Sequence, residues 1–315
     1  MASIDLKFNK LIKTILEEGI LYDDPNRIGT KRLEIPRYSF YHSFSDGFPA
    51  ITSKQLAWKS IVGETLWILK GDTHIRYLEE NKIPIWRGDA YNNYLRLSQN
   101  HDTPEVYNEF LSSISPSSPK SIVGELGRVY GYQLRKFGGE FDQLQRVVDI
   151  MRNNPLATKN DVTYINPNDN AKQALSPCHT GWSVIMRKDL SGFDLEFKMS
   201  SWDVFLGAPF NIAGYALIAK ILEIWTGRKA LGIYCTAHNV HIYEPHIEKA
   251  KLQISRSTET YSNCELERLS GFKMDMRNNI DSWLNSKSIS DFKLKDYKSH
   301  DRIPAKMIAY SAPNS

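Results

Sequence analysis

Three short stretches hold side chains whose types and spacing can do chemistry: SPCHTGW (176–182), DVFLGAPFNIAGYA (203–216) and HNVHIYEPH (238–246). Cys178 follows a proline and precedes His179, in a chain with three cysteines. A free cysteine is ordinarily a small buried hydrophobe. A thiol in a turn at a sheet edge becomes a nucleophile when a nearby cation or hydrogen-bond donors favour its thiolate. His179 is adjacent in sequence, but neighbours on a strand point to opposite faces, so it is not by default the activating base.

Glu64 sits between Val62 and Leu66 in AWKSIVGETLWILKG (57–71), a segment with apolar residues at 58, 61, 62, 66 and 69. That spacing predicts a largely buried helix ending at Gly71. A glutamate on a helix usually faces solvent; a desolvated one has its pKa raised toward values useful for proton transfer. Asn211 is a favoured helix N-cap, and its amide can equally read the O4 and N3 edge of a pyrimidine. His238, His241 and His246 invite a metal reading, but residues three apart on a strand face opposite sides and no helical glutamate accompanies them, so no metal is expected.

The elements that must position these groups follow from periodicity. The opening MASIDLKFNKLIKTILEEGI fits an amphipathic helix and lacks the continuous apolar core of a signal peptide. A short helix is expected through HIRYLEENK, and FDQLQRVVDIMRNNP (141–155) reads as another, stopped by Asn-Asn-Pro. Between them, the polar stretch 91–121, with SSISPSSPKS, is the candidate exposed insertion or small lobe. From 162 onward come strand-like runs, VTYIN, WSVIMR, FDLEFKM and LGIYCTAHNVHIY, and one long apolar helix, NIAGYALIAKILEIW (211–225). The pattern predicts an α+β fold, a large sheet covered by helices, as a single domain over 1–315.

With 41% hydrophobic and 24% charged residues in 315, the chain can bury a real core. No run approaches the roughly 18–20 apolar residues that cross a bilayer. Three widely spaced cysteines suggest neither a disulfide framework nor a metal motif, and place the protein in a reducing cytoplasm. A net charge of +4 with scattered basic residues argues against direct nucleic-acid binding and is compatible with a small anionic substrate.

Taken together and in order, NRIGTK, GFPAITSKQLAWKSIVGETLWILKGDTHIRYLEENKIPIW, GELGRVYGYQLRKFG, SPCH, DVFLGAPFNIAGYAL, HIYEPH and KLQISR resemble the thymidylate synthase family, from about residue 8 to the last ten residues. The resemblance implies a homodimer joined through a sheet face and a one-carbon transfer from 5,10-methylenetetrahydrofolate, as co-substrate, to C5 of a pyrimidine nucleotide. By the same resemblance Cys178 adds to C6, Glu64 relays protons, Tyr130 lies near the catalytic site and Asn211 reads the base. His241 and Tyr243 then hold the sugar hydroxyl, and Arg27 grips the phosphate. His179, Ser201 and Lys159 complete the substrate-binding set, and Trp86, Asp203 and Gly207 the folate-binding set. Asn211 favours uracil, because the cytosine enzymes of the superfamily carry aspartate at the matching place.

The chain departs from the family pattern where phosphate and folate are handled. Thr158 and Lys159 stand where the family contributes two consecutive arginines from the partner subunit, and Ser200 stands in place of a third. Neither lysine nor serine reproduces bidentate arginine. Phosphate affinity is then weak, or a relocated cation compensates, or the substrate is not an ordinary nucleoside monophosphate; Arg135, Lys136, Arg187 and Lys198 are the candidate cations. Asp89 replaces a folate-site tryptophan, and Met199 matches the related phage deoxycytidylate hydroxymethylases. Hydroxymethylases let water finish the carbon that thymidylate synthase reduces with hydride, and a more polar pocket favours water. The expectation is therefore 5-hydroxymethylation of a deoxyuridylate-like substrate, in the setting of a virus that replaces a base in its DNA. Reductive methylation to thymidylate and a catalytically weak nucleotide- or folate-binding homologue are the alternatives. The tail AKMIAYSAPNS is longer and more polar than the family's and is expected to loosen closure.

Overall fold

A computed structural model describes residues 3–25, 27, 29–114, 122–256, 261–267 and 279–308. The helices are α1 (Ser3–Glu18), α2 (Trp58–Leu69), α3 (Arg76–Glu80), α4 (Arg87–Ser98), α5 (Pro104–Ser113), α6 (Tyr130–Arg135), α7 (Gln143–Asn153), α8 (Gly207–Thr226), α9 (Ile247–Ser255) and α10 (Ile280–Asn285). The main sheet holds β1 (Ile20–Asp23), β2 (Lys31–Ser43), β3 (Asp161–Thr163), β4 (His179–Met186), β5 (Phe193–Met199), β6 (Trp202–Asp203) and β7 (Ala230–Tyr243); β8 (Glu265–Leu266) and β9 (Leu294–Lys295) form a separate pair.

The main sheet runs β1-β2-β7-β5-β4-β3, with β6 beside the end of β7. Its pairs are antiparallel except β5–β7 and β6–β7. A parallel pair needs a crossover, and α8 supplies it between β5 and β7. α8 is apolar almost all round, burying Ile212, Leu217, Ile221, Leu222 and Trp225 between the sheet and the other helices, as such a helix must. It ends at Gly227 in the left-handed conformation (φ 71°). The fold is thus α+β with a mixed sheet flanked by helices.

α1 buries Ile4, Phe8, Leu11, Ile12 and Ile15 along one stripe. Asp5 shares that buried face; its carboxylate accepts the Thr52 and Ser53 amides at 2.9 and 3.1 Å and the Thr52 hydroxyl at 2.7 Å, pinning the loop before Lys54. The polar stretch that begins at residue 91 is helical over much of its length. α4 and α5 pack on an aromatic cluster of Tyr91, Tyr94, Tyr107 and Phe110, and Thr103 caps α5 by accepting from the Val106 amide. Residues 115–121, including most of SSISPSSPKS, lie outside the described residues.

Two local differences from the sequence expectation shape the site. α8 starts at Gly207, four residues before the expected start, so Asn211 lies inside the helix and Leu206 is the cap residue. The β4–β5 register slips between His179 and Gly181, where Gly181 has φ 155° and a Cβ would be driven into the Val162 carbonyl. Such a bulge re-aims the first residues of a strand, and only glycine allows this one. Among the described residues no helix is long and apolar enough to cross a membrane.

Candidate active site

Cys178 lies immediately before β4, half-buried. Its amide donates to the Tyr130 hydroxyl at 3.0 Å. Its carbonyl accepts the Ser200 amide at 2.8 Å and the Ser200 hydroxyl at 3.1 Å, and that hydroxyl also reaches the Pro177 carbonyl at 3.4 Å. Ser200 thus staples the turn that carries Cys178. Burial pushes the thiol up; Arg27 and Arg32 pull it down, while Asp89 and Asp203 push it further up. The expected cations are present, but burial outweighs them and the resting sulfur is a thiol.

Beyond the cysteine runs a hydrogen-bond chain whose direction is fixed by an indole, which can only donate. Trp202 Nε1 donates to Asn211 Oδ1 at 2.9 Å, so the amide nitrogen faces His179 Nε2 at 3.2 Å. His179 Nε2 accepts, and Nδ1 then donates to the Tyr215 hydroxyl at 2.8 Å. Burial lowers the His179 pKa to about 4, so the ring is neutral and positions Asn211 in place of carrying a proton. Asn211 is left with one N–H and one oxygen lone pair, the complement of a uracil O4 and N3–H.

Glu64 projects from α2 and accepts from Trp86 Nε1 at 2.8 Å. The Trp86 ring packs edge-on against Tyr130, with centroids 5.9 Å apart, which links the carboxyl to the cysteine's partner. Burial raises the Glu64 pKa to about 7, the Trp86 hydrogen bond opposing it. A carboxyl balanced at neutral pH can both give and take a proton.

The opposite wall comes from the ends of β6 and β7. His241 Nδ1 bonds the Asn239 carbonyl at 2.7 Å and so carries the proton; buried Nε2 has no protein partner among the described residues and can accept from a hydroxyl. Burial lowers its pKa. The Arg27 guanidinium stands 5.1 Å over the Tyr243 ring, and its Nε donates to the Ile308 carbonyl at 3.2 Å. Asp203 Oδ1 accepts from the Phe205 and Leu206 amides, at 3.0 and 3.3 Å. A Cβ on Gly207 would stand 3.7 Å from Asp203 Cβ and 3.6 Å from Asn211 Oδ1. Its absence leaves a backbone-floored strip beside both groups, which suits a flat ring. Lys54, which the sequence reading passed over, donates to the Phe205 carbonyl and stands 3.8 Å from that ring. Burial lowers its pKa to about 8, Asp203 opposing. A lysine inside the apolar GFPAITSKQLAW was the available signal.

The thymidylate synthase family model matches residues 6–309. The thymidylate synthase of Mesoplasma florum is 32% identical over 300 residues, 94% of this chain and 97% of its own. That of Mycoplasma pneumoniae is 33% identical over 294 residues, 93% and 96%. The probable thymidylate synthase of Escherichia phage T5 is 34% identical over 304 residues, 93% and 97%. The chain belongs to the thymidylate synthase family. It is a one-carbon transferase.

Not every residue that the thymidylate synthase pattern suggested joins this cluster. Thr158 and Lys159 are exposed before β3, where Arg146 donates to the Lys159 carbonyl at 3.1 Å. Ser201 is half-buried beside Trp202. The candidate replacement cations are engaged elsewhere: Arg135 with Asp142 and Asp281 at 2.9 and 2.8 Å, Arg187 with Asp194 at 2.6 Å, Lys198 with Glu196 at 3.5 Å. Lys136 is exposed at the end of α6. Among the described residues, Arg27 and Arg32 are cations that act on Cys178, and Arg32 was not foreseen. The polar end of the tail, 309–315, lies outside the described residues.

Proposed function

We propose that this enzyme transfers a one-carbon unit to C5 of a uracil nucleotide, and that water completes the product as the 5-hydroxymethyl derivative. The joining of Cys178, the His179–Asn211 pair and the Glu64–Trp86–Tyr130 wall through one chain of contacts carries the reading. C5 of uracil is a poor nucleophile until C6 is saturated, and that addition is assigned to Cys178 Sγ. The charge that then grows on O4 meets the remaining Asn211 N–H, held by neutral His179 and by Trp202. Glu64 moves protons at the base. When bound, 5,10-methylenetetrahydrofolate supplies the carbon, and Trp86, Asp203 and Gly207 would hold it.

Asp89 supports completion by water. It is a half-buried carboxylate in the first turn of α4, and it acts electrostatically on both Cys178 and Arg27. A carboxylate in that position holds water where an indole would exclude it. Reductive methylation is the second reading, favoured by the thymidylate synthase names of the relatives. Mass spectrometry of the products from deoxyuridylate and methylenetetrahydrofolate separates the two. The 5-hydroxymethyl nucleotide without dihydrofolate supports the proposal; the methyl nucleotide with stoichiometric dihydrofolate overturns its second half.

The cytoplasmic setting fits three free cysteines. The sheet face that exposes Ile185 (42%) and Tyr234 (36%) is read as the homodimer surface. A sedimentation mass of one chain at micromolar concentration would exclude that assembly.

A further inference from the structure

A row of hydrogen-bonded side chains runs from the cleft into the core. Trp202 Nε1 meets Asn211 Oδ1 at 2.9 Å, Asn211 Nδ2 meets His179 Nε2 at 3.2 Å, and His179 Nδ1 meets the Tyr215 hydroxyl at 2.8 Å. Tyr215 is bonded in turn to Tyr164. Trp202, Tyr215 and Tyr164, at 1%, 4% and 2% exposed, are sealed from water, whereas Asn211 is half-buried at the cleft end.

Every member of the row but the indole can be turned over. An amide exchanges its oxygen and nitrogen by a half-turn, a neutral imidazole moves its proton to the other nitrogen, and a phenol hydroxyl both gives and accepts. Burial keeps His179 neutral. With Tyr164 donating to Tyr215, Tyr215 to His179 Nδ1 and His179 Nε2 to the Asn211 oxygen, the row runs backwards and keeps each of those bonds. The cleft then meets oxygen and N–H exchanged, the complement of the amino group and bare N3 of cytosine in place of the O4 and N3–H of uracil. An asparagine is thus not a uracil reader by itself. Trp182 donates to the Tyr164 oxygen at 3.2 Å in either direction and does not choose between them.

Trp202 does choose, because an indole only donates. In the reversed row its N–H faces the Asn211 amino group, and a buried donor left unpaired is the costly outcome of any hydrogen-bond exchange. The ring is held in place: it packs edge-on against Phe197 at 6.1 Å, and Phe197 stacks on Tyr215 at 4.5 Å with the planes 6° apart.

We propose that Trp202 is a specificity-determining positioning residue, whose indole N–H locks the row in one direction and so fixes the choice of uracil over cytosine. The inference rests on the reading of the substrate as a uracil nucleotide.

The test is calorimetric binding of deoxyuridylate, and of deoxycytidylate by displacement of deoxyuridylate, to the full-length wild type and to Trp202→Phe, which keeps an aromatic ring and deletes the N–H. The ratio of the deoxycytidylate Kd to the deoxyuridylate Kd is expected to fall at least about tenfold in Trp202→Phe, since the donor that opposed the reversed row is gone. If phenylalanine unsettles the fold, 3-benzothienylalanine at position 202, an isostere of tryptophan with sulfur in place of the N–H, gives the same fall with the packing kept. An unchanged ratio, or an equal loss for both nucleotides, overturns the lock alone. A wild type that binds deoxycytidylate as tightly as deoxyuridylate, or binds neither, overturns the uracil reading and the lock with it.

Discussion

Glu64 shows at the residue scale how one burial decision creates both a function and a cost. Its folded pKa of about 7 lies above the ordinary 4.5, so between those values the folded protein binds this proton more tightly than the unfolded chain does. The stability it contributes is full below about pH 4.5 and is lost as pH rises through 7. Glu64→Gln keeps the acceptor for Trp86 and removes the ionisation. It should be more stable than wild type at pH 8, by on the order of 2–3 kcal/mol, and equal near pH 4.5, while turnover falls at least a hundredfold. Denaturant melts at the two pH values together with the rate check this; equal stability of the two proteins at pH 8 would contradict it. Cys178, Glu64 and Asn211 could be singled out in the sequence as a thiol on a proline turn, a charge within an apolar stripe and an amide after a Gly-Ala-Pro-Phe run, but the residues alone left the structural reading of each open, and the family blocks gave each its expected role. Arg32 was illegible, since its position depends on registry with Tyr243 on a strand some two hundred residues away. Lys54 is the intermediate case, a charge in an apolar run whose partners appear only once α1 and α8 are packed.

At the element scale, α1, α2, α3, α7, α8 and the inner strands were readable from periodicity, while the short or polar helices α4, α5, α6, α9 and α10 and β2, the longest strand but one, were not. Pro36 interrupts its alternation, and Asn239 opposite that break adopts φ 47°, so the β2–β7 ladder skips a pair there. The start of α8 was misread for a physical reason too. Gly207, Ala208 and Pro209 look like a turn, yet proline is tolerated in a helix's first turn, where its missing N–H costs nothing. The bulge at Gly181 is the element on which the site's aim depends. Gly181→Ala must displace the β3 backbone at Val162, which should destabilise the protein by about 1–3 kcal/mol and disturb the His179–Asn211 bond. The measurable outcome is a lowered melting temperature with a kcat loss larger than any change in folate KM; unchanged melting and activity would show that the bulge is dispensable.

Over the whole molecule, the site is a meeting of distant segments: α2, the start of α4, α6, the 176–180 turn, the 200–211 connection and the end of β7. The fold class could be read from the order of periodic segments, and the family blocks added which of those segments meet. Neither could supply the charge balance of the cleft, because Asp24, Arg27, Arg32, Glu34, Asp89 and Asp203 come together only in three dimensions. The tail adds a last wall. Arg256, Lys249, His246 and Arg27 bond the carbonyls of Asp301, Pro304, Lys306 and Ile308 in turn, which carries the 301–308 segment across to Arg27. The central claim is that this assembly makes Cys178 a nucleophile toward C6 of a uracil nucleotide. Its most direct test is mass spectrometry of the denatured protein after incubation with 5-fluorodeoxyuridylate and methylenetetrahydrofolate, with peptide mapping of the modified residue. The account predicts a stable covalent adduct on Cys178 carrying both ligands, abolished in Cys178→Ser. An unmodified Cys178 at saturating ligand, or an adduct on another residue, would contradict it.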